Sequence, residues 1–502
     1  MNGRFAGAVT LVRLIARRDR GLMALWVGVA VAVPLFNAYS LAALLPTEAA
    51  RVAFAEISAA NPIATALLGR VHDTSIEGLV AWRSSVQSLL ITGLAGLLFA
   101  VRHTRAEEDA GRRELVAANA VGRHAAISAV MVLAAAVNLV IVALLAAGLP
   151  LGFGYPVGGS LLFGLTAGAG GTMFAACGLL AAQLCQSAPL ARTVAVGVLV
   201  AGLVPGVVVP EERIGILPAG WPRVARAYGD ERWWVPLVPL AFAVVLGLAA
   251  YVLSARRDLG AGLLPDRAGS TGPVRGKLRS PAGLAWRLYG GQAATWTIAL
   301  GTAGLGVGWV STSFEAGTLT GHTLLEIFTY VFCMLVACLT VVAALRPYAE
   351  ERRGRAEPLL ALTGRSRWLS GHVALGLATP VAMLLAVGLG TGLGAGAPLA
   401  QLGRALLFVP AAWAVAGLTI AAYGLRPRAA APAAWGTIVL SALCVALWEG
   451  GTIGETAFLL TPFGYGHPAL SPGFLAPAAF ALVAAVLVGV GGAAFARRDL
   501  IG

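Results

Sequence analysis

Charge is what this sequence has least of. Only 12% of its 502 residues are charged while 58% are hydrophobic, against roughly 25% charged residues in an ordinary soluble domain, which excludes a water-soluble globular fold. Lysine is nearly absent, Lys277 being the only one among 36 basic residues. ATP binding by a P-loop is excluded with it. No Gly-x-x-x-x-Gly-Lys-Ser/Thr run exists, and Arg275-Gly276-Lys277-Leu278 lacks both the glycine spacing and the hydroxyl. The five cysteines (Cys177, Cys185, Cys333, Cys338, Cys444) lie singly in apolar runs without CxxC spacing, a packing use rather than disulfide or metal chemistry. Histidine is scattered, at His72, His103, His124, His322, His372 and His467, so no metal set or Ser-His-Asp constellation emerges and an embedded enzyme is disfavoured. The 23 acidic residues fall in loops or near the ends of apolar runs, Glu326 and Glu449 deepest. A proton-coupled carrier needs a buried carboxylate to load and release its proton.

What is abundant is apolar sequence in stretches of about 20 residues, the length that crosses a bilayer core of roughly 30 Å. Spans are expected near 21–44, 84–102, 125–148, 159–185, 191–210, 234–254, 292–311, 324–346, 370–394, 403–424, 433–449 and 474–495. The first is too long for a signal peptide and lacks a small-residue cleavage pattern, so it is expected to remain as the first helix. With the N-terminus in the cytoplasm, 28 basic residues fall inside and 8 outside (Arg51, Arg70, Arg83, Arg213, Arg223, Arg226, Arg232, Arg404). The positive-inside rule then places both termini in the cytoplasm of a multi-pass protein of the bacterial plasma membrane. The net charge of +13 sits on arginines flanking spans, where anionic lipid rather than nucleic acid is the partner.

The chain repeats itself. Ala106-Glu107-Glu108-Asp109-Ala110-Gly111-Arg112-Arg113-Glu114 is matched by Ala349-Glu350-Glu351-Arg352-Arg353-Gly354-Arg355-Ala356-Glu357 at an offset of 243, and Ala255-Arg256-Arg257-Asp258-Leu259 by Ala496-Arg497-Arg498-Asp499-Leu500 at 241. Two matches at nearly one offset argue for duplication. The expected fold is all-α and polytopic, about 12 transmembrane helices as two six-helix halves, 1–259 and 284–502, joined by a cytoplasmic linker over 260–283. Each half opens with a short amphipathic interfacial segment: Leu11, Leu14 and Ile15 against Arg13, Arg17, Arg18 and Arg20, then Leu284, Trp286 and Leu288 beside Arg287. The first external loop, 46–83, breaks the symmetry by its length, and with Glu48, Glu56, His72, Asp73, Glu77 and Trp82 it either caps the bundle or meets substrate. Small-residue runs at 164–171 and 388–394 suit close helix packing, and Asn138, Gln183 and Thr340 are polar groups for interhelical bonds or substrate.

The charged loops at 102–124 and 346–368 carry both signs. Anionic lipid would repel their carboxylates, so a protein partner fits them better. At helical spacing Glu107, Gly111 and Glu114 share one face, as do Glu350, Gly354 and Glu357. With Glu108, Arg112, Glu351 and Arg355 they form the candidate coupling residues.

The run Ala349-Glu350-Glu351-x-x-Gly354-Arg355-x-Glu357-Pro358-Leu359-Leu360, with Thr363-Gly364-Arg365-Ser366-Arg367 after it, resembles the coupling segment of bacterial ABC-type export permeases. Arg102-His103-Thr104-Arg105-Ala106-Glu107-Glu108 with Gly122-Arg123-His124, and the restart Leu278-Arg279-Ser280-Pro281-x-Gly283-Leu284-Ala285-Trp286-Arg287, are similar to the actinobacterial subgroup that exports polyketide antibiotics. The resemblance covers essentially the whole chain. It implies six helices per half after an elbow helix, and two copies of a cytoplasmic ATP-binding subunit, holding ATP and Mg, docked at the two charged loops. It also implies a small hydrophobic, antibiotic-like cargo moved by alternating access. The rival is a proton-coupled secondary multidrug carrier of the major facilitator type, whose Asp-Arg-x-Gly-Arg-Arg loop is approached by Asp109-Ala110-Gly111-Arg112-Arg113. There the glycine stands one residue too close to the aspartate, and in the second half the basic pair precedes the glycine.

Overall fold

A computed structural model of the chain describes residues 5–60, 64–65, 68–111, 121–203, 215, 217–257, 262–264, 280–312, 321–449, 452–470 and 473–500. It divides into two compact units, Met1–Thr271 and Gly272–Gly502. The first contains α1 (Ala8–Arg18), α2 (Arg20–Leu44), α3 (Glu48–Ala60), α4 (Ile76–His103), α5 (Arg105–Asp109), α6 (Ala125–Phe153), α7 (Val157–Leu184), α8 (Ala188–Leu203), α9 (Trp221–Ala225) and α10 (Leu237–Arg256). The second contains α11 (Pro281–Ser311), α12 (Gly321–Ala344), α13 (Arg346–Arg352), α14 (Ala356–Thr363), α15 (Arg365–Gly394), α16 (Pro398–Leu406), α17 (Val409–Leu425), α18 (Ala430–Glu449), α19 (Glu455–Leu459) and α20 (Leu475–Arg497). Among the described residues, ten helices are long and apolar enough to cross a membrane, and this is a multi-pass membrane protein. Two of the expected spans lie outside that set: α8, with 16 residues, and α11.

In the first unit α7 is the hub, packed by α4, α6, α8 and α10. Its small residues make this possible. A Cβ on Gly96 would stand 2.5 Å from the Gly171 carbonyl, and one on Gly178 2.6 Å from that of Leu97, so α4 and α7 touch backbone to backbone. In the second unit α11 runs along α15, and α17 packs on α20. The glycine seam moves accordingly: Cβ atoms on Gly308 and Gly390 would each lie 2.2 Å from a carbonyl oxygen of the facing helix.

Two expectations change. The amphipathic opening of the second half is no separate element, since α11 runs unbroken from Pro281 through Tyr289 and Gln292 to Ser311. In the first unit the break exists because Asp19, between α1 and α2, accepts hydrogen bonds from Arg102 Nε at 2.7 Å and Nη2 at 3.1 Å, and lies 2.8 Å from His103 Nε2. No acidic residue stands at the corresponding place in α11. Of the expected loop 46–83, Glu48–Ala60 forms α3 and the residues from Ile76 open α4. Ala55 joins Leu41, Leu79 and Leu145 in one apolar cluster, while Trp82 Nε1 donates to the Gly69 carbonyl at 2.8 Å. Of the expected linker, 260–261 and 265–279 lie outside the described residues, and Leu264 is bonded back to the end of α7, donating to the Leu184 carbonyl and accepting from Gln186 N–H.

Candidate coupling site

The two repeated motifs are each other's partners. In the first unit Glu108, on α5, receives both carboxylate bonds from Arg257, one residue beyond α10, at 2.8 and 2.7 Å. Arg257 Nε donates to Gln183 Oε1 near the end of α7 at 2.9 Å. In the second unit Glu351, on α13, is held by Arg498, one residue beyond α20, with Nη1–Oε1 at 2.8 Å and Nη2–Oε2 at 2.6 Å. Its Oε2 also accepts the Tyr423 hydroxyl of α17 at 2.5 Å. The corresponding members are separated by 243, 241 and 240 residues. In each unit a short charged segment, the end of one central helix and the end of the last helix are thus joined through one Glu–Arg pair, the central helix bonding the arginine in the first unit and the carboxylate in the second.

Both carboxylates are buried, Glu108 at 3% side-chain exposure and Glu351 at 2%. Arg498 sets a guanidinium fork on Glu351, two parallel charge-assisted bonds that fix orientation as well as distance, whereas Arg257 bridges both Glu108 oxygens with Nη2 alone. Losing one partner of such a buried pair costs about 3–5 kcal/mol. The Arg498 guanidinium also lies over the Tyr423 and Phe495 rings, 4.9 and 5.0 Å from their centroids. Burial lowers the Arg498 pKa, but the Glu351 bond outweighs it and leaves the pKa raised. In the first unit a further buried arginine, Arg105, donates to Glu108 Oε2 at 2.8 Å and to the Gln186 carbonyl at 2.9 Å. Asp109 accepts the Ala188 N–H at 2.6 Å, at the start of α8.

The remaining candidate residues separate by orientation. Glu107 accepts from Arg18 on α1 at 3.0 Å; Glu350 is buried and accepts from Arg355 Nη2 at 2.9 Å. Exposed are Arg352, Arg353, Gly354, Arg355 and Glu357. Arg112 and Glu114 fall outside the described residues. The continuous face expected for Glu350, Gly354 and Glu357 is not formed. Gly354, with φ of +68°, terminates α13 and donates to the Glu351 carbonyl at 2.9 Å, and Glu357 belongs to the next helix. Gly111 does the same after α5, with φ of +70°. Among the described residues, chain neighbours aside, no atom lies within 4 Å of a Cβ at either glycine, so the left-handed turn accounts for them.

The polar residues weighed for substrate contact are engaged within the fold. Thr340 donates to the Val336 carbonyl at 2.8 Å and Gln183 accepts from Arg257. Asn138 donates to the Ala134 carbonyl at 2.9 Å, and it lines an apolar cavity among α2, α4 and α6 with Trp26, Ile91, Thr92 and Phe99. Glu326 is paired with Arg404 at 2.6 Å. Sequence reasoning missed Arg257, Arg498, Gln183 and Tyr423 as site members. The available signal was that an acidic motif and a basic motif repeat together at almost one offset.

A family profile described as "Multidrug efflux system permease Rv1217c, C-terminal domain" matches residues 278–496. Over 541 aligned positions, spanning 99% of this chain and 96% of the relative, the chain is 35% identical to the multidrug efflux system permease protein Rv1217c of Mycobacterium tuberculosis.

Proposed function

Because this chain belongs to the family of multidrug efflux permeases, we propose that it is the membrane-spanning subunit of an ATP-driven ABC-type exporter that moves hydrophobic or amphipathic antibiotic-like molecules out of the cell. Two cytoplasmic ATP-binding subunits, which hold ATP and Mg, dock at 102–124 and 346–368, and both termini face the cytoplasm. About twelve helices in two duplicated halves alternate between inward- and outward-open arrangements. The supporting observation is the recurrence of one cluster, Glu108 with Arg257 and Gln183, Glu351 with Arg498 and Tyr423, beneath each charged segment. Two related but non-equivalent points of attachment, with Asp109-Ala110 in one where Arg352-Arg353 stand in the other, suit two copies of one driver bound with different strengths. The energy comes from partner chains because these 502 residues contain no P-loop.

The orientation of the side chains refines which residues dock. On the second segment the exposed Arg352, Arg353 and Glu357 present themselves to a partner, whereas Glu351 faces inward. The test is co-expression with the ATPase encoded beside it, followed by purification in detergent. Stable association is expected, and joint charge reversal at Arg352, Arg353 and Glu357 should weaken it by about tenfold or more, as for several rim charges removed together. No association of the wild-type chain, with efflux following a proton gradient, refutes the proposal.

A further inference from the structure

We propose that the buried carboxylate–guanidinium pairs are transmission clamps, which make the end of the last helix in each unit follow the charged segment when that segment moves. The inference rests on the proposed function for the source of the movement. Its geometric basis stands on the described side chains alone.

The paired glutamates of each charged segment are unequal as carriers of a displacement into the bundle, and in the first segment Asp109 adds only a single bond into it, to the Ala188 N–H at the start of α8. Glu107 reaches Arg18 through a single bond to a side chain that is 45% exposed, an attachment that water and salt loosen. Glu350 pairs with Arg355 in the turn region just after α13 and so ties the segment mainly to itself. Glu108 and Glu351, by contrast, each grip a guanidinium through both oxygens away from water. The Glu351–Arg498 pair uses two nitrogens on two oxygens and so resists rotation as well as separation. In the first unit one nitrogen, Arg257 Nη2, bridges both Glu108 oxygens, and the Arg257 Nε bond to Gln183 fixes the guanidinium's orientation. The third member extends the grip to a central helix, α7 through Gln183 and α17 through Tyr423. A displacement of α5 or α13 therefore moves the ends of two spans together.

Position supports the same role. Arg257 and Arg498 stand directly after α10 and α20, so a pull on either acts at the tip of a long helix, where leverage on the rest of it is greatest. Gly111 and Gly354 end the short helices in left-handed turns. The clamped carboxylate thus sits on the last turn of its short helix. These are positioning residues: they act through the helices they hold, not on the transported molecule.

The experiment uses the full chain with its ATPase in lipid nanodiscs and proteoliposomes, comparing Glu108→Gln, Glu351→Gln, Arg498→Lys and the swapped pair Glu351→Arg/Arg498→Glu with wild type. The single variants should retain the ATPase and its hydrolysis, while molecules transported per ATP fall by about tenfold or more, the usual size of a coupling between sites. The swap should recover a substantial part of the loss. Amide exchange should quicken by about tenfold at the end of α10 in Glu108→Gln and at the end of α20 in Glu351→Gln, each in its own unit only. That arm is also read on the chain alone. Unchanged exchange, or faster exchange with the transport ratio intact, overturns the inference. If Glu351→Gln does not fold, Tyr423→Phe removes one hydrogen bond and keeps the ion pair, and a transport ratio equal to wild type then overturns it. A wild-type chain that binds no ATPase removes the proposed function instead, whereas an intact complex whose transport ratio ignores the clamps removes this inference alone.

Discussion

Alanine at Gly308 should force α11 away from α15. The added Cβ would lie 2.2 Å from the Thr391 carbonyl oxygen and 3.0 Å from the Ala395 nitrogen, and real Cβ atoms are essentially never closer than 3.0 Å to such neighbours. Both neighbours are helix backbone, which cannot turn aside as a side chain would, so one helix has to shift by at least ~0.8 Å. A gap of that size forfeits a quarter to a half of the dispersion attraction along the seam, and overpacking of this kind costs about 1–3 kcal/mol. Alanine returns about 0.5–1 kcal/mol through its better helix propensity, leaving a net loss of about 1–2 kcal/mol. Gly306, on the same helix, has nothing within 4 Å of its Cβ position and supplies the control, since alanine there gains the propensity and meets no clash. The assay is SDS-induced unfolding of the purified protein in mild detergent, followed by tryptophan fluorescence. Gly308→Ala should unfold at distinctly lower SDS, and Gly306→Ala at the wild-type value or above. The close-contact reasoning fails if the two variants unfold alike, or if Gly308→Ala matches wild type.

Two further expectations concern charge. Burial alone would raise the Asp19 pKa, but the bond and charge of Arg102, with His103, outweigh it and hold the carboxyl below its ordinary range. A depressed folded-state pKa contributes stability above the unfolded value of about 4 and loses it as pH falls through the folded one. Thermal unfolding from neutral pH to pH 3 should therefore show a steeper acid loss in wild type than in Asp19→Asn, and parallel curves would contradict the assignment. Glu326, the deepest acidic candidate for a proton-loading group, is paired with Arg404, with their side chains 24% and 40% exposed. Such pairs contribute about 0–1 kcal/mol, so Glu326→Gln should leave drug efflux from vesicles within several-fold of wild type, and abolition of efflux would restore the proton-coupled reading.

Much of the helical frame was legible because hydrophobic length is a local signal. The expected spans 21–44, 159–185 and 474–495 differ by at most two residues at either end from α2, α7 and α20. The errors share a cause: polar residues inside helices. The expectation of 84–102 omitted two helical turns at the start of α4, which Ser75 caps by accepting from Gly78 N–H at 3.0 Å despite Glu77, Trp82 and Arg83. The span expected at 403–424 lies within one apolar stretch, Pro398–Leu425, which a turn at Leu407 and Phe408 divides into α16 and α17. Side-chain direction in the charged segments was not legible at all. Helical spacing put Glu107 with Gly111, and Glu350 with Gly354, but a left-handed glycine ends each helix before that face can form.

The burial of Glu108 and Glu351 alters the argument made from charge. Read as sequence, mixed-sign loops favour a protein partner because their carboxylates would be repelled by anionic lipid. With Glu350 and Glu351 turned inward, the exposed side of the second segment carries Arg352, Arg353 and Arg355 against Glu357 alone among its charged groups up to Thr363. A lipid surface would tolerate that face, so exposed charge no longer argues against simple anchoring. What anchoring leaves unexplained is the interior. Headgroup attachment requires no buried carboxylate, and burying one is costly unless every bond is made. Yet this chain buries a bonded carboxylate twice, with Gln183 as third member in one unit and Tyr423 in the other, even though this leaves Gln183 Nε2 and Arg498 Nε without a hydrogen-bond partner among the described residues. A device whose third partner differs while its Glu–Arg pair recurs is fastened for mechanical connection between the segment and the helix ends. The case for a driven segment therefore rests on what the glutamates hold inside the bundle, not on what they present outside it.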